Sequence, residues 1–384
     1  MKLPRTVVAL GAVSLLTDAS SEMIYPLLPV FLSTVLGAGP LAIGAIEGAA
    51  ESVAALLKLA SGWWSDRLPR RKPLVIAGYG IASLVRPLIG LTQSVGQVLA
   101  IRLADRAGKG IRGAPRDALI ADAVDASQRG RAYGFHRAAD HTGAVAGPLI
   151  AYALLTWGNV SLRTVFLLAA IPAAAAMIAL VFGVREEKKA EPNEKKAPNL
   201  ERQGLGRRFW AFLGVLMLFT LGNSTDALLI LRANDLGVSA ALVPILWAML
   251  HVVKAVSSTP GGSLSDRLGR RPLIIAGWMV YAGVYLGFAF ASEAWHAWAL
   301  FLTYGVYFGL TEGVEKALVA DMVPAAARGA AFGWYNLTIG LAALPASLIF
   351  GGLWQAYGAS TAFIVGAGLA LVAALGLLVV TRNA

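Results

Sequence analysis

Residues Gly62–Arg71 read GWWSDRLPRR, and 200 residues further on Gly262–Arg271 read GSLSDRLGRR. The Gly, Asp and Arg positions return in the same order. A second pair keeps nearly the same register: Ala121 and Asp122, followed by Arg129, Gly130 and Gly134, are matched by Ala320 and Asp321, followed by Arg328, Gly329 and Gly333. Self-similarity at a fixed offset marks a duplicated structural unit. The chain therefore consists of two homologous halves.

Each copy of the ten-residue segment sits in a gap between long apolar runs. Crossing a bilayer core of ~30 Å takes roughly 20 apolar helical residues. The sequence holds twelve such runs, at 7–36, 41–63, 73–92, 96–121, 131–156 and 162–184, then at 209–233, 238–260, 272–292, 295–320, 329–356 and 359–381. The expected fold is an all-α integral membrane protein, twelve transmembrane helices in two pseudo-symmetric six-helix bundles over 1–184 and 209–384. Composition agrees, because charged residues make up 14% and hydrophobic ones 57% of the 384 residues, whereas soluble domains carry about 25% charged. The absence of cysteine and of a Gly-X-Y period excludes disulfide-stapled and collagen-like classes.

The net charge of +11 lies mostly in short gaps between the apolar runs. That placement reads as orienting charge and not as a nucleic-acid surface. Lys2 and Arg5 before an apolar stretch imitate a signal peptide, but Asp18 interrupts the run and no A-x-A site follows, so it is read as the first span. Even-to-odd gaps hold Arg67, Arg70, Arg71, Lys72, Arg129, Arg131, Arg267, Arg270, Arg271 and Arg328, against little beyond Arg163 and Arg232 in the opposite gaps. Lys and Arg are retained on the cytoplasmic side, which puts both termini in the cytoplasm and the protein in the cell inner membrane. Residues 185–208, with mixed charge, Pro192 and Pro198, read as a solvated cytoplasmic linker.

The G-x-x-x-D-R-x-x-R-R loop, present twice in a six-plus-six chain, resembles that of the major facilitator superfamily, and the resemblance covers essentially the whole sequence. It implies a secondary transporter whose loop network latches the cytoplasmic side. Gating is thereby assigned to Asp66, Arg67, Arg70, Asp122, Asp266, Arg267, Arg270 and Asp321. Physically, Asp66 and Asp266 can accept from unsatisfied N–H groups at a neighbouring helix start, while the arginines pair with Asp122 and Asp321. A plainer alternative is that the arginines only set orientation. Gly143, Gly147 and Pro148 resemble the G-x-x-x-G-P motif of the superfamily's drug:proton antiporters, although Ala151 and Tyr152 stand where that motif continues to a Gly pair. Small residues permit close helix approach and the proline a bend, so these three join the gating set.

Ionisable side chains in mid-membrane cost at least ~2.5–3.5 kcal/mol and default to function. Asp18 and Glu22 lie one turn apart in span 1. Glu47, Glu51 and Lys58 share a stripe of span 2, within about 40° of one another. In span 4, Asp105, Lys109, Arg112 and Arg116 share another and read as a basic cavity wall. Span 5 carries His136, Arg137, Asp140 and His141. Since His titrates near neutral pH and a buried Asp can be raised toward it, the expected proton-coupling residues are Asp18, Glu22, Glu51, Asp140 and His136. The alternative for span 5 is an Asp140–Arg137 ion pair that locks the helix. The 200-residue offset sets Trp247 and His251 opposite Glu47 and Glu51 across the pseudo-two-fold axis, with Lys254 one turn below. Expected substrate contacts are Glu47, Glu51, Lys109, Arg112, Asp226, Trp247, His251, Lys254, Glu312, Tyr335 and Asn336. Arg86 in span 3 has no role on this reading.

No Walker A loop, H-E-x-x-H or G-x-S-x-G sequence is present, so neither an enzyme nor a cofactor is expected. The reading is a monomeric, proton-coupled secondary active transporter in the lipid bilayer, exporting a small organic solute or drug by antiport and alternating access, with no nucleic-acid partner. Two alternatives stand beside it: transport of a transition-metal ion or chelate, motivated by His136, Asp140, His141, Glu51 and His251 with no metal ligand set assigned, and a non-transporting membrane receptor or scaffold of the same fold.

Overall fold

The structure, a computed structural model, describes residues 3–68, 70–124, 129–186, 205–324 and 327–380; within them the side chains of Trp63, Asp66, Arg67, Arg129, Arg131, Thr259 and Arg328 lie outside the description. The expected gating residues Asp66 and Arg67 and most of the expected linker therefore fall outside the described residues.

Every described element is helical, and each apolar run coincides with one helical span. These are α1 (Arg5–Thr34), α2 (Pro40–Arg67), α3 (Lys72–Leu91), α4 (Val95–Asp122), α5 (Arg129–Thr156), α6 (Leu162–Gly183), α7 (Arg207–Asp235), α8 (Val243–Leu268), α9 (Arg270–Phe290), α10 (Ala294–Asp321), α11 (Arg328–Tyr357) and α12 (Ala359–Val380). Eight are long and apolar enough to cross a membrane by length and composition alone. The other four, α4, α5, α8 and α10, have the length, 26 to 28 residues. What they lack is uniform apolarity, because they carry most of the ionisable residues singled out above.

Breaks fall where the backbone chemistry requires them. Pro26 forces a 3₁₀ turn over Tyr25–Leu27 in α1, and Pro87 does the same over Arg86–Leu91 in α3. Span α7 is interrupted after Gly222, where Asn223 turns extended and Thr225 caps a new helical segment beginning at Asp226.

The chain packs as two compact units. The first comprises Met1–Phe31 and Val53–Ala197, the second Leu32–Ser52 and Pro198–Ala384. The first part of α2 thus belongs with the second unit, where a Cβ on Gly48 would come 2.9 Å from the Leu344 Cα and Ser52 donates to the Gly340 carbonyl at 2.7 Å. In the first unit, glycines set two seams. A Cβ on Gly78 of α3 would lie 2.6 Å from the Gly108 carbonyl of α4. Gly143 and Gly147 of α5 lie so close to α1 that added Cβ atoms would overlap the Leu15 and Ala19 carbonyls. Val7, Leu10, Val13, Val75, Leu119 and Leu180 form the adjoining core.

Candidate functional site

In the first unit the α1–α5 seam decides which polar groups meet. Cβ atoms built on Gly143 and Gly147 would each lie 3.0 Å from the Cβ of Asp18 and Glu22 respectively. The two acids of α1 are therefore flush with α5. One turn earlier, Ser14 donates a very short hydrogen bond to Oδ1 of Asp140. The other oxygen, Oδ2, lies 3.5 Å from His136 Nδ1 and 3.9 Å from Arg137 Nη1. His136 is buried and its Nε2 has no hydrogen-bond partner among the described residues, whereas the Arg137 side chain is 65% exposed. The nearer, enclosed partner of Asp140 is the imidazole. His141 is exposed, and Pro148 is buried inside α5.

The stripe on α4 is not one continuous cavity wall, which corrects the sequence reading. Because Gly78 and Gly108 bring α3 and α4 into backbone contact, the side chains flanking that contact are enclosed. Asp105 accepts from Arg86 Nε and Nη2 at 3.0 and 2.8 Å through Oδ1, and from Arg102 Nη1 at 3.2 Å through Oδ2. Arg86 Nη1 adds bonds to the Thr17 carbonyl at 3.2 Å and Ser20 Oγ at 3.4 Å. All three charged groups are buried. Arg112 is also enclosed, its guanidinium 4.2 Å from the Tyr79 ring centroid and its Nη1 without a hydrogen-bond partner among the described residues. Of the stripe's expected contacts only Lys109 is exposed, and Arg116 pairs with Asp117 at 2.8 Å. Arg86, which sequence reasoning could not place, is the centre of this cluster.

The loop residues pair differently in the two halves. Arg71, not Arg70, meets Asp122, through a very short contact. In the second half Arg270 binds Asp266 at 2.5 Å and Asp321 at 3.4 Å, while Arg271 reaches the Leu378 carbonyl at 2.6 Å. Arg267 is exposed. Asp266 is expected to accept from backbone N–H groups at a neighbouring helix start; the partner found is the side chain of Arg270, the first residue of α9, across the break at Gly269. The helix start of the first half is held instead by Glu186, whose two oxygens accept from the Arg71 and Lys72 backbone N–H groups, both at 2.7 Å.

The second unit holds an aromatic cluster with two acids. The break in α7 frees the Gly222 carbonyl, which accepts from Tyr281 at 3.0 Å, and sets Ser224 Oγ 3.1 Å from the Tyr285 hydroxyl. Asp226, in the first turn of the new segment, accepts from Tyr304 at 2.8 Å. Rings extend the cluster: Phe219 stacks on Trp278 with centroids 4.4 Å apart, and Tyr304 lies parallel to Tyr307 at 5.6 Å and edge-on to Phe308 at 5.0 Å. The Lys254 ammonium sits 3.4 Å from the Phe308 centroid. Glu315, buried, accepts from Trp278 Nε1 at 3.0 Å and Tyr335 at 2.9 Å.

Other expected contacts are distributed unevenly. Trp247 is buried with His251 edge-on at 5.1 Å; Glu47 is buried and Glu51 exposed. Glu312 is exposed and pairs with Lys316 at 3.4 Å, so the buried acid of α10 is Glu315, three residues on. Asn336 is exposed and donates to the Phe332 carbonyl of its own helix at 2.7 Å, which spends its amide locally. The missed tyrosines had a legible signal, Tyr281 with Tyr285 and Tyr304 with Tyr307, each pair one turn apart. Among the described residues no three His, Asp or Glu side chains converge as metal ligands do.

A family profile described as Major Facilitator Superfamily matches residues 10–314 and 212–384. An uncharacterized MFS-type transporter of Methanocaldococcus jannaschii is 35% identical over 384 residues, covering 98% of this chain and 95% of that one. The class C tetracycline resistance protein of Escherichia coli is 28% identical over 387 residues, covering 95% and 94%. Among solved structures, that of the nucleoside transporter NupG superposes with a TM-score of 0.79 at 13% identity, over 99% of this chain and 100% of that one.

Proposed function

The chain belongs to the Major Facilitator Superfamily, as a multi-pass membrane transporter, and we propose that it exports a small organic solute or drug by proton antiport and alternating access. The observation that carries the reading is Asp140, one oxygen on Ser14 and the other beside a buried imidazole. Such a carboxylate–imidazole pair inside an apolar bundle can hold a proton or release it without displacing a helix. Asp18 and Glu22, flush with the same seam, complete the proton-coupling set, and Glu51 stands as a further member.

For the substrate, the reading uses the aromatic cluster of the second unit. Ring faces and edges accept flat organic molecules of varied outline, and Asp226, Lys254, Glu315 and Tyr335 supply orienting polar groups. Relatives named for drug resistance support efflux over uptake. The reading keeps bundles over 1–184 and 209–384 with a cytoplasmic linker at 185–208, both termini cytoplasmic, a monomer, and the cell inner membrane. Reconstitution in proteoliposomes tests it: an imposed pH gradient drives accumulation of an aromatic probe such as tetracycline or ethidium, and a protonophore abolishes it. Accumulation that ignores the gradient refutes proton coupling.

A further inference from the structure

Where α6 ends and α3 begins, a cleft of about 500 Å³ is lined by the cations Arg70, Lys72 and Arg185, the carboxylate of Glu186, and the apolar side chains of Ile76 and Val184. Three positive charges face one negative charge. That negative charge is already committed, since both Glu186 oxygens accept backbone N–H bonds at the start of α3. Lys72 is held in place by the Val184 and Val181 carbonyls, at 2.7 and 2.9 Å. An ammonium has three donors, so its third donor and its charge remain for a ligand. The cleft is therefore a prearranged anion site whose internal carboxylate is spent elsewhere.

The apolar side of the site narrows the ligand's class. Ile178 and Phe182, one turn apart on the last turns of α6, are 61% and 75% exposed. On a membrane-spanning helix such side chains meet acyl chains, and Phe182 precedes Arg185 by three residues in the chain. Basic pockets at helix ends next to lipid bind anionic headgroups. We propose that this cleft seats the headgroup phosphate of an anionic phospholipid, with its acyl chains along Ile178 and Phe182. A free phosphate would use the cations and leave the apolar strip unused.

The test is titration of the purified full-length protein with phosphatidylglycerol or phosphatidylcholine, counting bound lipids by native mass spectrometry. Wild type retains phosphatidylglycerol preferentially. Arg185→Gln, whose side chain is exposed and whose described bond is made by its backbone carbonyl, weakens that binding about fivefold and leaves phosphatidylcholine unchanged. Lys72→Gln adds a similar loss. Equal retention of the two lipids by wild type overturns the proposal, as does phosphatidylglycerol binding unchanged in Arg185→Gln. Displacement of the lipid by inorganic phosphate at a concentration that leaves the ionic strength unchanged, and hence the screening the same, reassigns the cleft to a soluble anion and overturns it equally.

Discussion

Arg86 holds Asp105 through two nitrogens on a single carboxylate oxygen, at 2.8 and 3.0 Å, while Arg102 takes the other oxygen at 3.2 Å. One carboxylate thus pairs with two guanidiniums, and the three side chains together keep one net positive charge inside the bundle. Deleting one partner of a buried pair leaves an uncompensated charge and costs about 3–5 kcal/mol. Asp105→Asn takes the carboxylate from both cations, whereas Arg102→Gln leaves the doubly bonded Arg86 pair in place. Thermal unfolding in detergent is therefore expected to fall much further for Asp105→Asn than for Arg102→Gln. Equal shifts would show that the cluster does not act as a unit.

Asp140 gives the second prediction. If it carries the coupled proton, Asp140→Asn still performs substrate exchange but no longer concentrates substrate against a pH gradient. Ser14→Ala removes only the hydroxyl that orients the carboxylate, so it is expected to shift the pH dependence of transport and retain accumulation. Gradient-driven accumulation at the wild-type level in Asp140→Asn would move the proton to Asp18 or Glu22.

If the loop ion pairs form a gate, they give the third. Loop arginines act through different repeat positions in the two halves, Arg71 on Asp122 and Arg270 on Asp321. Transport rates are expected to drop further for Arg71→Gln than for Arg70→Gln, and further for Arg270→Gln than for Arg271→Gln. A reversed order in either half would refute the assignment of these ion pairs to gating.

The fourth concerns substrate. Tyr304→Phe keeps the ring and removes the hydroxyl that binds Asp226 at 2.8 Å. The carboxyl group then loses the hydroxyl that orients it, so a probe that uses this acid is expected to bind more weakly. Trp278→Phe, which removes one of the two hydrogen bonds on Glu315 and leaves that of Tyr335, should act on the same probe. Unchanged affinity in both variants would place the substrate elsewhere.

Eight spans were legible from length and apolarity alone, and the charged α4, α5, α8 and α10 from their length and from the six-plus-six repeat in which they stand. Arg86 was not legible, since its partner Asp105 lies on the next helix and only the Gly78–Gly108 contact brings them together. Periodicity does place Asp105 and Lys109 on one face of α4. It cannot say that a neighbouring helix covers the first and leaves the second bare. Glu315 was passed over for Glu312 for a similar reason: three residues apart on one helix, they differ in whether Trp278 and Tyr335 reach them. The shift from Arg70 to Arg71 is likewise invisible in a repeat whose two halves align residue for residue.

The enclosure of Asp105 also bears on how the chain enters the membrane during synthesis. Each charged residue near the centre of a helix raises its insertion free energy by about 2.5–3.5 kcal/mol, and α4 bears Arg102, Asp105, Arg106, Lys109, Arg112 and Arg116. Alone at the translocon, α4 is a poor candidate for lateral release into lipid. Its most costly acid is matched by a cation on the preceding helix, so α3 and α4 are expected to leave as a hairpin with that pair already formed. In glycosylation mapping of nascent chains ending after α4, Arg86→Leu, although more hydrophobic, should therefore lower the inserted fraction.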